Sequence, residues 1–272
     1  MQQPEYWVSI LDLARSKDLE LNEVGWWSHW SDVQWIEEKS YVMLSPDFDE
    51  YFFNRAGFVD CSNGLDAVAK IEARFEAAGR PPIFSVQSEC KELAALLNSR
   101  GFTSFDDMSV MQLGQLEFKK ATGLKVKQGQ NVEATEWADT YALSFYGNLS
   151  LQRPVARVVD RLAEDPSVVL VSGEKDGRSL GVLAAFRTSG LLGIYCVGTR
   201  RENRGLGVAG SMIHEASKIA SAEGRQLVLQ TIVSDEVEDF YARGGFRRLY
   251  LKHLMSREVS GLNRSKKESP QP

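Results

Sequence analysis

The residues of this chain whose types and spacing are best suited to chemistry form a glycine-rich stretch behind an arginine. It reads Arg204-Gly205-Leu206-Gly207-Val208-Ala209. Glycines let a backbone approach a ligand closely, and the first turn of a helix presents unpaired N–H groups and a positive dipole end. Such a helix start favours a bound anion. The stretch therefore predicts a backbone cradle for a diphosphate group.

The flanking segments predict the elements that would position this cradle. Leu191–Thr199 is a nearly unbroken apolar run, which is typical of a strand buried on both faces of a sheet. A basic turn at 200–204 follows it. After the cradle, apolar residues recur on one helical face until Gly224, at Met212, Ile213, Ala216, Ile219 and Ala220. The pattern predicts a buried strand, a turn and a helix that opens at the cradle.

A dinucleotide-binding site is the competing interpretation, because Gly205, Gly207 and Gly210 also satisfy the Gly-x-Gly-x-x-Gly pattern. In that fold the first glycine closes the strand-to-helix turn at once, and an acidic residue about 20 positions later binds the ribose. Here residues 200–204 separate the strand from Gly205, and the next strand reaches Gln230 without a carboxylate. Too little chain remains for a second mononucleotide-binding half. This context disfavours a dinucleotide fold.

The same stretch resembles the acetyl-CoA site of the GNAT superfamily of N-acetyltransferases. That family's signature is Arg or Gln, two residues, Gly, one residue and then Gly or Ala, which 204–209 matches with Ala209 in the last place. Downstream, 240–246 reads Phe-Tyr-Ala-Arg-Gly-Gly-Phe and is similar to the family's Phe-Tyr-x-x-x-Gly-Phe element. The resemblance covers roughly residues 126–255. One departure is Ser234, which stands where the family usually has Asn.

The resemblance implies acetyl-CoA as the cosubstrate, and it implies which residues contact it. The diphosphate would lie on the backbone of the cradle, and the pantetheine arm would run along the end of the central strand. The implied cofactor-binding residues are Val197, Gly198, Thr199, Arg204, Gly205, Leu206, Gly207, Val208, Ala209 and Ser234. Arg200 and Arg201 either meet the adenosine's extra phosphate or form a solvated pair of loop charges.

Tyr241, in the second motif, is the candidate general acid for the departing thiolate. A phenol with a pKa near 10 can hydrogen-bond or protonate a thiolate whose conjugate acid has a pKa near 8.5, at a cost of about 2 kcal/mol. The alternative is a core tyrosine at a helix end. Many relatives carry a carboxylate base on the central strand, where this chain has Tyr195 and Cys196. The remaining candidates for the base are a water chain, Asp139, Asp235, Glu236 and Glu238.

Composition narrows the class of partner. Hydrophobic residues at 43% and charged residues at 25% are typical of a globular protein, and the net charge of -5 argues against nucleic acid and suits an amine substrate. No run approaches the roughly 20 apolar residues of a membrane span, and no metal-hydrolase motif occurs. We expect no membrane partner, no metal and a cytoplasmic monomer or homodimer. Cys61, Cys90 and Cys196 are scattered, so we expect reduced thiols.

The first half of the chain repeats the order of the second. Gly79-Arg80 is followed 22 residues later by Gly101-Phe102, and Gly224-Arg225 is followed 21 residues later by Gly245-Phe246. The first copy lacks the cradle, having 60–64 in its place with 62–64 as a helix cap, and it has Leu97 instead of the tyrosine. We predict an α/β protein with a mixed sheet and two GNAT-like domains. The predicted bounds are a degenerate domain at 1–120, a catalytic domain at 125–258 and a disordered tail at 259–272.

The pattern of apolar and turn residues predicts the remaining elements. Helices are expected at 6–16, 64–79, 89–99, 131–146, 154–164 and 235–243, and strands at 41–44, 51–59, 83–86, 108–113, 168–171, 180–186, 227–232 and 248–255; a polar linker is expected at 114–129. Tryptophans crowd the first 35 residues, at Trp7, Trp26, Trp27, Trp30 and Trp35. They form either an aromatic substrate wall or a cap on the core, and the area that tryptophan buries favours the core.

The leading functional hypothesis is an acetyl-CoA-dependent N-acetyltransferase that acts on the primary amine of a small molecule by direct attack in a ternary complex. The alternatives are transfer to a protein or peptide N-terminus or lysine, and a non-catalytic CoA-binding sensor. The degenerate first half is expected to be structural, covering the second domain and walling the amine side of its site.

Overall fold

The computed structural model describes residues 10–61 and 64–258. The first half contains α1 (Ile10–Trp27), β1 (Asp32–Ile36), β2 (Ser40–Leu44), β3 (Arg55–Phe58), α2 (Gly64–Ala77), β4 (Ile83–Gln87), α3 (Lys91–Ser99) and β5 (Thr103–Leu113). The second half contains β6 (Lys125–Gln128), α4 (Ala134–Tyr146), α5 (Gln152–Glu164), β7 (Val168–Lys175), β8 (Arg178–Thr188), β9 (Leu191–Thr199), α6 (Val208–Ala222), β10 (Gln226–Ile232), α7 (Glu238–Arg243) and β11 (Phe246–Ser256).

These strands form one sheet in the order β1-β2-β3-β4-β11-β5-β10-β9-β8-β7-β6. This order is pseudo-symmetric about its centre. From one edge inward the strands are β1, β2, β3, β4 and β11, and from the other edge, after the additional strand β6, they are the counterparts β7, β8, β9, β10 and β5. In both halves an antiparallel run of three strands is followed by a helix and a parallel strand, because β3 pairs parallel with β4 and β9 with β10. The topology thus repeats as the sequence motifs do.

The last strand of each half pairs with the other half. β5 lies antiparallel to β10, β11 lies antiparallel to β4, and β5 and β11 pair with each other along most of their length. Each half therefore leaves no open sheet edge at the centre of the molecule. Because backbone hydrogen bonds cross the pseudo-symmetric centre in this way, the two halves share one sheet.

The two faces of the sheet carry different helices. On one face, Leu192 and Ile194 of β9 pack in a cluster with Met212 and Ala216 of α6. On the other face, Tyr195 packs in a cluster with residues of α1, α4 and α5. The alternation of side chains along a strand separates these environments. Both faces of β9 are covered, as its apolar sequence predicts.

Several predicted elements have different bounds in the structure. The predicted strand at 51–59 is a strand only at Arg55–Phe58, because 51–54 form turns. The predicted linker contains the edge strand Lys125–Gln128, and Asp32–Ile36 forms an unpredicted edge strand at the other side. The helix expected at 6–16 continues to Trp27. Its first residues with Trp7, the cap residues 62–63 and the tail from 259 lie outside the described residues.

The tryptophan-rich segment mostly contributes to the core. Trp26 and Trp30 are 0% and 2% exposed, and Trp26 stacks on Tyr195 with ring centroids 4.9 Å apart. Trp27 is half-buried, whereas Trp35, on the edge strand β1, is 48% exposed. The core interpretation of this segment is confirmed for Trp26 and Trp30.

The expectation of three reduced cysteines is wrong for two of them. Cys61 and Cys90 form a disulfide whose Cα atoms lie 5.1 Å apart, and Cys196 is the free thiol of the described chain. The sequence places these two residues 29 positions apart without a recognisable motif. Their proximity arises because the loop after β3 folds over the start of α3.

None of the helices within residues 10–61 and 64–258 combines the length and apolar character needed to cross a membrane. The same residues contain no group of three or more His, Cys, Asp or Glu side chains that is arranged to hold a metal ion.

Candidate active site

The central strands β9 and β10 separate before they end. Their parallel pairing runs from Leu191 to Ile194 on β9, and beyond that point β9 continues to Thr199 against β8 alone. The register of β9 against β8 shifts here, and Cys196 has a positive φ of 54°. This bulge bends β9 away from β10. The result is an opening in the sheet whose β9 side carries the backbone of Val197, Gly198 and Thr199.

The predicted cradle lies at the same end of the sheet. Gly205 and Gly207 have φ values of 78° and 76°, the left-handed region that suits glycine, and Gly207 is the N-cap residue of α6. The first helical hydrogen bond runs from Ser211 N–H to Gly207 O at 3.0 Å. The backbone N–H groups of Val208, Ala209 and Gly210 come before that bond, so they have no acceptor within the helix, and no side chain caps them. A Cβ at Gly205 would meet no atom within 4 Å, whereas a Cβ at Gly207 would lie 3.2 Å from Ala121 Cβ, so the cradle is open at Gly205 and bordered by the segment before β6 at Gly207.

Arg204 and Arg200 fold back against α4 and the end of β9. The Arg204 guanidinium donates to Thr199 O and Ser144 O, each at 3.4 Å, and Arg200 Nη2 donates to Thr140 Oγ1 at 2.9 Å. Arg204 thus closes the turn from β9 to the cradle. Thr140 and Ser144 escaped sequence analysis, although their spacing of four residues puts them on one helical face.

Buried polar atoms without a protein partner cluster around this turn. They are Thr199 Oγ1, Ser144 Oγ and Arg200 Nε. Buried polar groups are normally hydrogen-bonded, so a ligand or water is required to satisfy them. A ligand with polar amide and phosphate groups fits that requirement, and the open cradle beside it fits a diphosphate. The described residues therefore suit the cosubstrate that the motif resemblance implies.

Tyr241 lies in α7 and is buried against Phe246, with ring centroids 5.9 Å apart. Burial raises the pKa of its phenol well above the ordinary value, and the nearby charge of Asp235 adds to the rise. The hydroxyl consequently stays protonated at neutral pH. It is suited to donate a hydrogen bond rather than to release its proton readily.

Ser234 is hydrogen-bonded to a strand of the first half. Its hydroxyl donates to Asp106 Oδ2 of β5, and its N–H donates to Asp106 Oδ1 at 3.4 Å. The exchanged strand β5 therefore fixes the turn after β10. The role of Ser234 as a cofactor contact stays a prediction.

The candidate bases are dispersed. Glu238 is paired with Arg248 at 2.6 Å, Glu236 is exposed, and one carboxylate oxygen of Asp139 is buried without a protein partner. On β9, Tyr195 donates its hydroxyl to Asn22 Oδ1 at 2.7 Å, and burial raises the pKa of the Cys196 thiol well above its usual value. Both strand residues are thus neutral groups. No carboxylate occupies β9 at the opening.

No protein-family model matches this sequence, and no curated protein matches it. Solved structures do match its fold. A GCN5-related N-acetyltransferase from Kribbella flavida superimposes with a TM-score of 0.64 at 17% identity, covering 89% of this chain and 95% of the other. One from Sphaerobacter thermophilus gives 0.58 at 15% identity, with coverages of 83% and 82%.

A tandem GNAT protein from the clavulanic acid biosynthesis pathway is also similar, with a TM-score of 0.58 at 13% identity over 81% of this chain and 79% of the other. The chain therefore has the GNAT fold in a tandem arrangement. The predicted fold class, a mixed α/β sheet with two GNAT-like halves, is confirmed.

Proposed function

We propose that this protein is an acetyl-CoA-dependent N-acetyltransferase that acetylates the primary amine of a small molecule by direct attack. The observation that carries the proposal is the coincidence of two features at one end of the sheet. Beyond Ile194 the backbone of β9 has no pairing with β10, and the uncapped start of α6 follows the end of β9. One ligand with an extended amide arm and a diphosphate would use both. The net charge of -5 favours a cationic acceptor over an anionic one.

In this proposal the backbone of Val197, Gly198 and Thr199 lies along the pantetheine arm, and the amides of the first turn of α6 hold the diphosphate. Thr140 orients Arg200 toward the same end of α6. When bound, acetyl-CoA supplies an activated acetyl group. The protein's task is to hold the thioester and the amine in a fixed relative position, which lowers the entropic cost of their encounter.

Tyr241 completes the proposed chemistry. Its hydroxyl stays protonated because burial raises its pKa, so it can donate a hydrogen bond to the sulfur on which negative charge develops. Complete proton transfer from such a phenol costs more than the about 2 kcal/mol of an unperturbed tyrosine. We therefore assign Tyr241 as a donor to the leaving group, with solvent taking the proton that the neutral attacking amine loses and protonating the departing thiolate.

A thiol-release assay tests the proposed activity. Acetyl-CoA is incubated with the protein and a panel of amines, amino acids and peptides, and free CoA thiol is measured. Amine-dependent release that small amines support better than peptides is the expected result. Release that only peptides support would favour the protein N-acetyltransferase alternative.

A binding experiment tests the cradle separately. CoA should raise the melting temperature of the wild type by mass action, and NAD should not. The same shift should be lost in Gly205→Leu and kept in Gly224→Leu. Both glycines have positive φ and open space where a Cβ would lie, so the two variants carry a similar backbone penalty. Equal shifts in the two variants would place the cofactor elsewhere.

The sensor alternative has one observation in its favour, since β9 offers neutral Tyr195 and Cys196 where many relatives carry a carboxylate. It predicts stabilisation by CoA without thiol release for any acceptor. The two assays together therefore distinguish catalysis from binding alone.

A further inference from the structure

Residues 45–54 form a loop between β2 and β3 that its own hydrogen bonds hold in shape. The buried side chain of Asn54 donates to Phe48 O at 2.7 Å and to Glu50 O at 3.0 Å, and it accepts from Ser45 N at 2.9 Å. Breaking these bonds would leave buried polar groups unpaired, which is costly. The backbone position of Glu50 is therefore well defined.

This loop belongs to the first half but packs on the second. Phe48 and Phe53 lie 5.5 and 5.6 Å from Trp30, whose ring is 5.3 Å from that of Tyr141 in α4. Asp47 Oδ1 accepts from Arg157 Nη2 of α5 at 2.7 Å. Apolar packing and an ion pair thus fix the loop over α4 and α5.

The loop that carries Glu50 reaches both strands that border the opening. Tyr51 packs in a cluster with Ile232 at the end of β10, and Phe52 stacks on Trp27, which lies against Tyr195 of β9. Burial raises the pKa of Tyr141 well above its ordinary value, and Tyr146, Cys196 and the charge of Glu50 add to the rise. The charge of Glu50 thus acts on Tyr141, which agrees with the position of the loop over α4. Cys196 is the bulge residue at which β9 leaves β10. Glu50 is half-buried, so a ligand can reach it from solvent.

Aromatic rings lie beside this loop. Phe52 stacks on Trp27 with centroids 6.3 Å apart, and Trp27 lies edge-on to Tyr195 at 6.2 Å. Trp27, Phe52 and Tyr146 are half-buried members of one cluster. A carboxylate and aromatic rings in one loop can together attract an ammonium group, through an ion pair and through cation–π interactions.

We propose that Glu50 binds the cationic amine of the acceptor and that the acceptor's apolar body, aliphatic or aromatic, lies against the neighbouring rings. The place of this binding in an acetyl transfer rests on the proposed function, whereas the binding itself does not. The first half then contributes a specificity-determining residue to the site although it has no cradle of its own. No sequence motif marks Glu50, because it lies about 145 residues before Cys196 on β9.

Calorimetry without acetyl-CoA tests the inference. The probes are 2-phenylethylamine and n-hexylamine, with 2-phenylethanol as the neutral analogue. The wild type should bind at least one of the amines and bind the alcohol much more weakly. Glu50→Gln should bind the amine about 10- to 100-fold more weakly, the loss expected for a charged hydrogen bond. Asp49→Asn is the matched control, because it removes the same charge from the residue that precedes Glu50, and the side chain of Asp49 is 99% exposed.

Three results would overturn the inference: no binding of either amine by the wild type, equal amine affinity in Glu50→Gln, or equal affinity of the wild type for the alcohol. The CoA-induced shift in melting temperature should be the same in Glu50→Gln and the wild type. An amine bound through Glu50 by a protein that CoA does not stabilise would refute the proposed function while leaving this inference intact.

Discussion

Tyr241 shows how its surroundings decide what a motif residue can do. The sequence motif places a tyrosine at this position, and the burial of its side chain raises the pKa of the phenol. Because the raised pKa favours the neutral form, the proton is held over the whole neutral and mildly alkaline range. The residue can therefore stabilise a developing thiolate by hydrogen bonding, but it is a poor source of a free proton.

Tyr241→Phe should lower kcat by roughly 10- to 10⁴-fold with little change in CoA affinity, since it removes only a donor to the leaving group. In the wild type, kcat should not fall through Tyr241 ionisation as the pH rises to the ordinary tyrosine value of 10.0. Steady-state kinetics measure kcat and its pH dependence, and calorimetry measures the CoA affinity. Tyr41→Phe is the control, because the Tyr41 hydroxyl is buried without a protein partner in the first half. Full activity in Tyr241→Phe would remove this residue from the mechanism.

At the scale of elements, the two copies differ most where β3 and β9 lead into their helices. In the second half residues 200–207, which contain the basic turn and the first part of the cradle, separate β9 from α6, whereas in the first half only 59–63 separate β3 from α2. Cys61, in that short loop, is bonded to Cys90 at the N-cap of α3. The disulfide thus bridges the end of the first half that corresponds to the proposed cofactor site of the second.

Reducing this disulfide should lower the free energy of unfolding by about 3 to 4 kcal/mol, as loop-closure entropy gives for a separation of 29 residues. Thermal and urea unfolding with and without reductant measure the change, and Cys61→Ser with Cys90→Ser should reproduce it. Cys196→Ser should leave the effect of the reductant unchanged. Alkylation of the denatured, unreduced protein should modify Cys196 alone; modification of all three cysteines would show that the bond does not form.

At the scale of the molecule, a buried cluster of charges joins the halves. Glu20 and Glu23 of α1 pair with Lys252 of β11, and Glu23 also pairs with Arg55 of β3. All four are at most 2% exposed. Burial raises the pKa of Glu20, whereas the attraction of Lys252 and Arg55 outweighs burial and lowers the pKa of Glu23. Removing any partner would leave an uncompensated buried charge, so these elements depend on one another.

A fragment of residues 124–258 should consequently be insoluble or aggregated. It lacks β5, which pairs with both β10 and β11, and α1, which neutralises Lys252. Expression and size-exclusion chromatography of the fragment beside the full chain test this. A soluble, fully active fragment would show that the first half shapes neither the fold nor the substrate pocket.

Titration of the full chain should give one CoA per molecule, because the sequence between β3 and α2 has no counterpart of the arginine and glycines of the cradle. Gly205→Leu is the informative variant, since it should remove that single site. Two equivalent sites in the wild type would overturn the view that the first copy has lost its cofactor function.

The sequence by itself determined the parts of this protein whose signals are local. The apolar run of β9, the glycines at positive φ before α6 and the Phe-Tyr and Gly-Phe pairs around α7 all act within a few residues of themselves, so strand, cradle and helix follow from short patterns. The spacing of the Gly-Arg and Gly-Phe pairs revealed the repeat for the same reason.

The tertiary structure alone decided what depends on residues far apart in the chain. The exchange of β5 and β11, the Cys61–Cys90 bond and the packing of loop 45–54 on α4 and α5 each join segments with no common local pattern. Register and pairing partners are set by which surfaces pack best in the whole sheet, and a one-dimensional pattern carries no information about that competition. The proposed cofactor side of the site was therefore accessible from motifs, whereas the proposed acceptor side depends on how the first half packs on the second.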